Sequence, residues 1–140
     1  DVEDTDDVRF ERMLDLNLRS AFYTVRAALP YLKKAEFGRI VLVGSRAAID
    51  NPPGQATFNM AKAAVMALGR SVASELESTE VTASVLLPSV IDTPATRATL
   101  PYADYVNWPT PEEIAGVAEF LLTKEAGVMN GAMVPVFGKA

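Results

Sequence analysis

The 140-residue sequence contains neither cysteine nor histidine. Without thiols there is no disulfide and no thiolate nucleophile, and without imidazole there is no Ser-His-Asp triad within the chain. The two absences together remove the usual zinc ligands, so no metal site is expected. Positive charge is also in short supply: 13 Lys and Arg against 18 Asp and Glu give a net charge of −5. Lys33-Lys34 is the only basic pair of note, which argues against a nucleic-acid partner. No apolar run reaches the roughly 20 residues of a membrane-spanning helix, and no signal peptide opens the chain. A cytoplasmic location without a membrane partner is therefore the expectation. Repeats and low-complexity tracts are missing too.

What the sequence has is a core. Apolar residues make up 49% of it, and a chain of this length forms one domain that buries about two-thirds of its unfolded surface. The stretch Gly38–Lys62 organises the rest. Arg39–Gly44 is a short run rich in Val and Ile, as in a buried parallel strand. It ends at Gly44-Ser45, a polar connection with Asn51-Pro52-Pro53-Gly54 follows, and a helix of small residues starts near Ala56 or Thr57. Lys62 is the only charged residue between Asp50 and Arg70. An ammonium among Ala, Val and Met is costly unless paired; it either snorkels to water or serves a site. Ser45 is likewise either a small strand-ending residue or a site residue.

Upstream, Thr5-Asp6-Asp7 offers a helix cap. Apolar positions from Phe10 to Leu32 recur at helical spacing and predict a helix from about Asp7 to Lys34, with Pro30 as a source of kinking. Asn17 sits in its middle, where Asn competes for backbone bonds, as a solvated, core-bridging or functional residue. Downstream, the Lys62 helix runs to about Leu76 or Ser78, and Val81–Leu87 is a second parallel strand stopping at Pro88. Ala95–Trp108 is irregular, with Tyr102, Tyr105 and Trp108 as candidate cover for a pocket. Thr110-Pro111-Glu112-Glu113 is a helix start with a capping box; the helix spans Glu112–Thr123, and Ala132–Phe137 is a third strand. The pattern predicts an α/β fold: three adjacent parallel strands with helices on both faces, in a Rossmann-like doubly wound sheet. Ligands of such sheets bind beyond the carboxyl ends of the strands, where Ser45 and Ser89–Thr93 lie. Residues 58 and 62 share a helix face.

Taken together, DLNLRSAFYTVRAALPYL, GRIVLVGS, ATFNMAKAAV, LLPSVIDTP, TPEEIA and MNGAMVPV, in this order, resemble the short-chain dehydrogenases/reductases over essentially the whole chain. The resemblance implies a single domain, residues 1–140, corresponding to roughly the C-terminal half of that fold. It implies hydride transfer between NAD or NADP and a small carbonyl or alcohol substrate, in a homodimer or homotetramer built on the helices Asp7–Lys34 and Ala56–Ser78. The family's catalytic Asn, Ser and Lys fall on Asn17, Ser45 and Lys62, and its catalytic Tyr falls on Phe58. Cofactor contacts fall on Lys62, Thr93, Ile91 and Pro88-Ser89, the last pair standing where the family usually has Pro-Gly. Phe58 keeps the ring and has no proton to give, and losing a general acid typically costs about 10²–10⁴ in rate. A Gly-rich phosphate-binding turn does not occur between Asp1 and Ala140; Gly127 and Gly131 lie outside a strand–turn–helix context.

Three readings stand at this point. The first is an oxidoreductase of this family with an impaired proton step. The second is a non-catalytic member that binds a nucleotide or a partner. The third is a Ser/Lys hydrolase using Ser45 and Lys62, against which stands the lack of a Gly-x-Ser-x-Gly elbow.

Overall fold

A computed structural model describes residues 1–139. Three strands, β1 (Gly38–Val43), β2 (Val81–Pro88) and β3 (Met133–Val136), form one sheet in the order β1-β2-β3. Both pairings are parallel, with Leu42 opposite Val85 and Leu86 opposite Val134. The adjacent parallel order expected from the apolar runs is the one found.

The core lies on one face of this sheet. Ile40 and Leu42 from β1 and Val81, Ala83, Val85 and Leu87 from β2 point into it. Two helices close it: α2 (Ser20–Leu32) through Val25, and α4 (Ala56–Glu75) through Val65, Val72 and Ala73, with Leu76 at its end. Gly69 lets α4 approach, because a Cβ there would overlap a Val85 methyl.

The opposite face carries Arg39, Thr82, Ser84 and Leu86 and is covered by α6 (Pro111–Leu121) and the 3-10 turn after it, Glu125–Val128. This layer is tied by hydrogen bonds. Arg39 donates to the carbonyls of Thr123 and Lys124 at 3.0 Å each, and Ser84 Oγ donates to Met129 O at 2.9 Å. The start of α6 is the capping box read from Thr110 and Glu113, with both reciprocal bonds present.

Several boundaries differ from expectation. The first long helix is three segments: α1 (Asp7–Leu14), capped by Asp6, a π turn over Asp15–Arg19, and α2, which stops at Leu32 rather than Lys34. Asn17 sits in the π turn; its amide donates to the Met13 carbonyl at 3.0 Å. That competition for a backbone acceptor accompanies the extra residue in the turn. α4 ends at Glu75, β1 begins one residue early at Gly38, β3 is shorter than Ala132–Phe137, and α6 starts at Pro111 and stops at Leu121. Two short helices were not expected, α3 (Ala47–Asp50) in the polar connection and α5 (Pro94–Thr99) in the stretch read as irregular. α5 starts as α6 does, with Thr93 as N-cap and Pro94 at the first turn. Among the described residues no helix is long and apolar enough to cross a membrane, and no cluster of acidic side chains could hold a metal.

Candidate active site

The site is built where β1 runs out. At Gly44 a Cβ would stand 2.8 Å from Leu87 Cδ2 and 3.1 Å from Met66 Cγ, so the chain leaves the sheet in a space only Gly fits. Arg46 N–H then donates to Pro88 O at 2.8 Å, which joins the exits of β1 and β2. Ser45 Oγ accepts from Ala47 N–H at 3.1 Å. The hydroxyl hydrogen is left available to donate to a ligand oxygen. After α3 the chain turns through Asn51, in the left-handed region at φ 50°, and Gly54 at φ 76°. Asn59, buried in α4, anchors that turn by donating to Pro52 O at 3.2 Å, while its own Oδ1 is buried without a partner.

α4 carries the next two groups. Lys62 Nζ donates to the carbonyl of Val43 at 2.9 Å and stands 5.8 Å from the centre of the Phe58 ring. Val43 O is open because odd-numbered residues of β1 face away from β2, while the N–H groups of Gly38 and Gly44 point into the ladder. Burial pushes the Lys62 ammonium below the ordinary lysine range. Of the two readings of Lys62, simple snorkelling does not describe the geometry: the ammonium turns back to the strand end. No hydrogen bond joins it to Ser45 among the described residues, so the Ser/Lys hydrolase reading gains no geometric support.

A cavity of about 470 Å³ opens here, lined by Ser45, Arg46, Ala47, Asp50, Pro52, Gln55, Phe58, Ser89 and Val90. It brings together three of the residues singled out from sequence: Ser45, Phe58 and Ser89. Lys62 adjoins it through the Phe58 ring. Ser89 Oγ donates to Phe137 O at 2.8 Å, fixing the loop after β2 to the end of β3. Pro88 closes β2, Ile91 is half-buried, and Thr93 caps α5, accepting from Thr96 N–H at 3.1 Å. Pro88, Ile91, Thr93 and Asn17 do not line the cavity. Nor do Tyr102, Tyr105 and Trp108, expected as pocket cover; Tyr102 is fully exposed, and Tyr105 lies against Arg97 instead.

Sequence reasoning missed Arg46, Asp50 and Gln55 on the cavity wall. Arg46 Nε donates to Asp50 Oδ2 at 2.8 Å, and the guanidinium lies 4.9 Å from the centre of the Phe137 ring. The signal was the i, i+4 spacing of opposite charges, usable only once α3 is seen as helical. Gln55 precedes Phe58 by three residues at the helix start, and its side chain does not cap the helix.

A parallel sheet flanked by helices on both faces, with Ser, Lys and a β2 exit loop gathered at its carboxyl end, defines a Rossmann-like α/β protein. Comparison with known proteins makes this specific. The sequence model of the family described as enoyl-(acyl carrier protein) reductase matches residues 1–138. A 3-oxoacyl-[acyl-carrier-protein] reductase, MabA, of Mycobacterium tuberculosis is 35% identical over 138 residues, covering 93% of this chain and 56% of that protein. A solved short chain dehydrogenase/reductase family protein superposes with TM-score 0.89 at 30% identity, over 96% of this chain and 59% of that one. A 3-oxoacyl-[acyl-carrier protein] reductase from Brucella melitensis, solved with bound NAD, superposes with TM-score 0.86 at 26% identity, over 99% of this chain and 54% of that one. The chain belongs to the short-chain dehydrogenase/reductase family of oxidoreductases. It spans about half the length of the curated relatives it matches.

Proposed function

We propose that this chain forms the substrate-side half of an NAD- or NADP-dependent oxidoreductase acting on a small carbonyl or alcohol, with its proton-transfer step impaired. The observation that carries the reading is the alignment of Ser45 and Phe58 on one cavity wall with Lys62 one helical turn behind the ring. A bound nicotinamide would supply the hydride. The chain's own groups suit the remainder. The Ser45 hydroxyl can donate to the substrate oxygen. Lys62 uses one N–H on Val43 O and keeps two for a hydroxyl-bearing ligand such as a ribose. Pro88, Ser89, Ile91 and Thr93 occupy the β2 exit, at the carboxyl end where ligands of such sheets bind. Asn17, one helix away, would take part only through water, since no direct bond links it to Lys62 among the described residues. Position 58 presents a ring where a proton donor would stand, and Phe cannot donate.

Phe58→Tyr tests this. In a protein that also carries a nucleotide-binding half, the variant should raise NAD(P)H-dependent carbonyl reduction by about 10²-fold or more. Lys62→Ala in the same background should remove most of the gain. A Tyr variant that binds dinucleotide yet stays inactive across a broad carbonyl and alcohol panel overturns the impaired-enzyme reading. The second reading, a non-catalytic nucleotide- or partner-binding module, would then take its place; Phe58 is the observation that favours it.

The same proposal includes a second copy packed on α2 and α4. Phe22, Tyr23, Tyr31 and Met60 are exposed on these helices, and a groove between them is lined by Phe22, Leu29 and Leu68. Sedimentation at micromolar concentration should show a dimer or tetramer; a monomer overturns this part.

A further inference from the structure

Between Asp92 and Pro109 the chain leaves the sheet, forms α5 and a 3-10 turn at Tyr105–Asn107, and returns. The two legs of this strap meet at its base, where Asp92 N–H donates to Pro109 O at 2.9 Å. Apolar burial does little to hold the rest. No residue from 93 to 108 is buried, and Leu100, Tyr102 and Val106 are exposed. A helix as short as α5 does not hold itself in water.

One side chain spans the gap. Arg97 Nε and NH2 donate to the two carboxylate oxygens of Asp92 at 2.5 and 2.7 Å. The guanidinium carbon lies 4.1 Å from the centre of the Tyr105 ring, and that ring packs at a tilt 6.4 Å from Trp108. The outgoing leg thus supplies a carboxylate, the returning leg an aromatic pair, and the guanidinium plane sits between them. A bidentate fork sets the plane, and the plane sets the stacking, which an ammonium cannot reproduce. Arg97 is also tied to the cap of α5, since its own N–H donates to Thr93 O at 2.9 Å.

We propose that Arg97 is a positioning residue: it latches the two legs of the strap together and so fixes Thr93 beside the β2 exit. The value of a fixed Thr93 to nicotinamide binding rests on the function proposed above; the latch does not.

The experiment uses the whole 140-residue chain, in which Trp108 is the single tryptophan, so its emission reports the returning leg alone. Wild type, Arg97→Ala, Arg97→Lys and Asp92→Asn are compared by Trp emission, by amide exchange at Thr96 and Arg97, and by chymotryptic cleavage after Tyr102 and Tyr105. Arg97→Ala should shift the emission to longer wavelength and speed local exchange and cleavage by about tenfold or more, as for a locally opened segment. The far-UV melting midpoint should stay within a few degrees. Arg97→Lys, with the charge and without the fork, should behave like the Ala variant, and Asp92→Asn should move the same way less far. Unchanged emission and exchange in Arg97→Ala overturn the proposal. So does a Lys variant equal to wild type, which would make charge alone sufficient, and so does uniform acceleration of all amides, which would make Arg97 a general structural residue. None of these readouts needs a dinucleotide, so the latch and the proposed function can fail separately.

Discussion

The platform of α4 on β2 and the strap between Asp92 and Pro109 flank the same end of the sheet and are held in opposite ways. Every residue of β2 is buried, and Leu76, Val65 and Val85 are almost wholly excluded from water behind α4. The strap has no fully buried residue between 93 and 108 and is held by a carboxylate, a guanidinium and a ring, with Lys139 N–H donating to Asn107 O at 3.0 Å on its returning leg. Packing is non-directional and cooperative, so it holds Phe58 and Lys62 rigidly on their helix. A few directed contacts hold a segment in one geometry at a small opening free energy. The difference separates a packed support for Phe58 and Lys62 from a segment held by a few directed contacts.

The strongest way to break this contrast is to loosen the platform. Leu76→Ala should cost about 2–5 kcal/mol, as for other buried Leu truncations, read as a fall in the urea midpoint of the whole chain. Below the transition, Trp108 emission should not move. A cost under about 1 kcal/mol would show the platform to be less solid than its burial implies. A subtler probe is glycine. Ala at Gly69 improves helix propensity by up to about 1 kcal/mol but drives a Cβ into a Val85 methyl. Overpacking of this kind costs about 1–3 kcal/mol, so Gly69→Ala should be neutral to destabilising. Gly116 in α6 has nothing within 4 Å of an added Cβ, and Gly116→Ala should stabilise by about 0.5–1 kcal/mol. A gain at both positions would erase the distinction between a tight and an open helix surface; thermal melts of the two variants decide it.

Much of this was legible in the residues, for reasons that differ by element. The strands could be read because β2 is buried on both faces and so is apolar without alternation. The start of α6 could be read because Thr110, Pro111 and Glu113 each satisfy a local need of a helix end. The same Thr-Pro signal at Thr93-Pro94 passed unread, since only six residues of helix follow and no apolar period marks them. The π turn was invisible because one extra residue barely disturbs a broad apolar stripe. Lys62 stood out as an isolated charge, but its partner, the Val43 carbonyl, is brought near only by tertiary packing. Asp92 and Arg97 are five apart, a spacing that does not pair along a regular helix, and they meet because the chain turns at Thr93. The cavity wall of Arg46, Asp50 and Gln55 likewise exists only once α3 and the Asn51–Gly54 turn fold the connection back over Phe58.

Lys62 has one more consequence, which concerns the backbone of β1. In the described sheet β1 is a rim: its odd-numbered N–H and C=O groups face away from β2 and meet no further strand. The ammonium bonded to Val43 O fills the last of these carbonyls, so a half-buried cation and a backbone acceptor that β2 does not use satisfy each other. The residue proposed to serve a cofactor hydroxyl thereby also ties α4 to the end of β1.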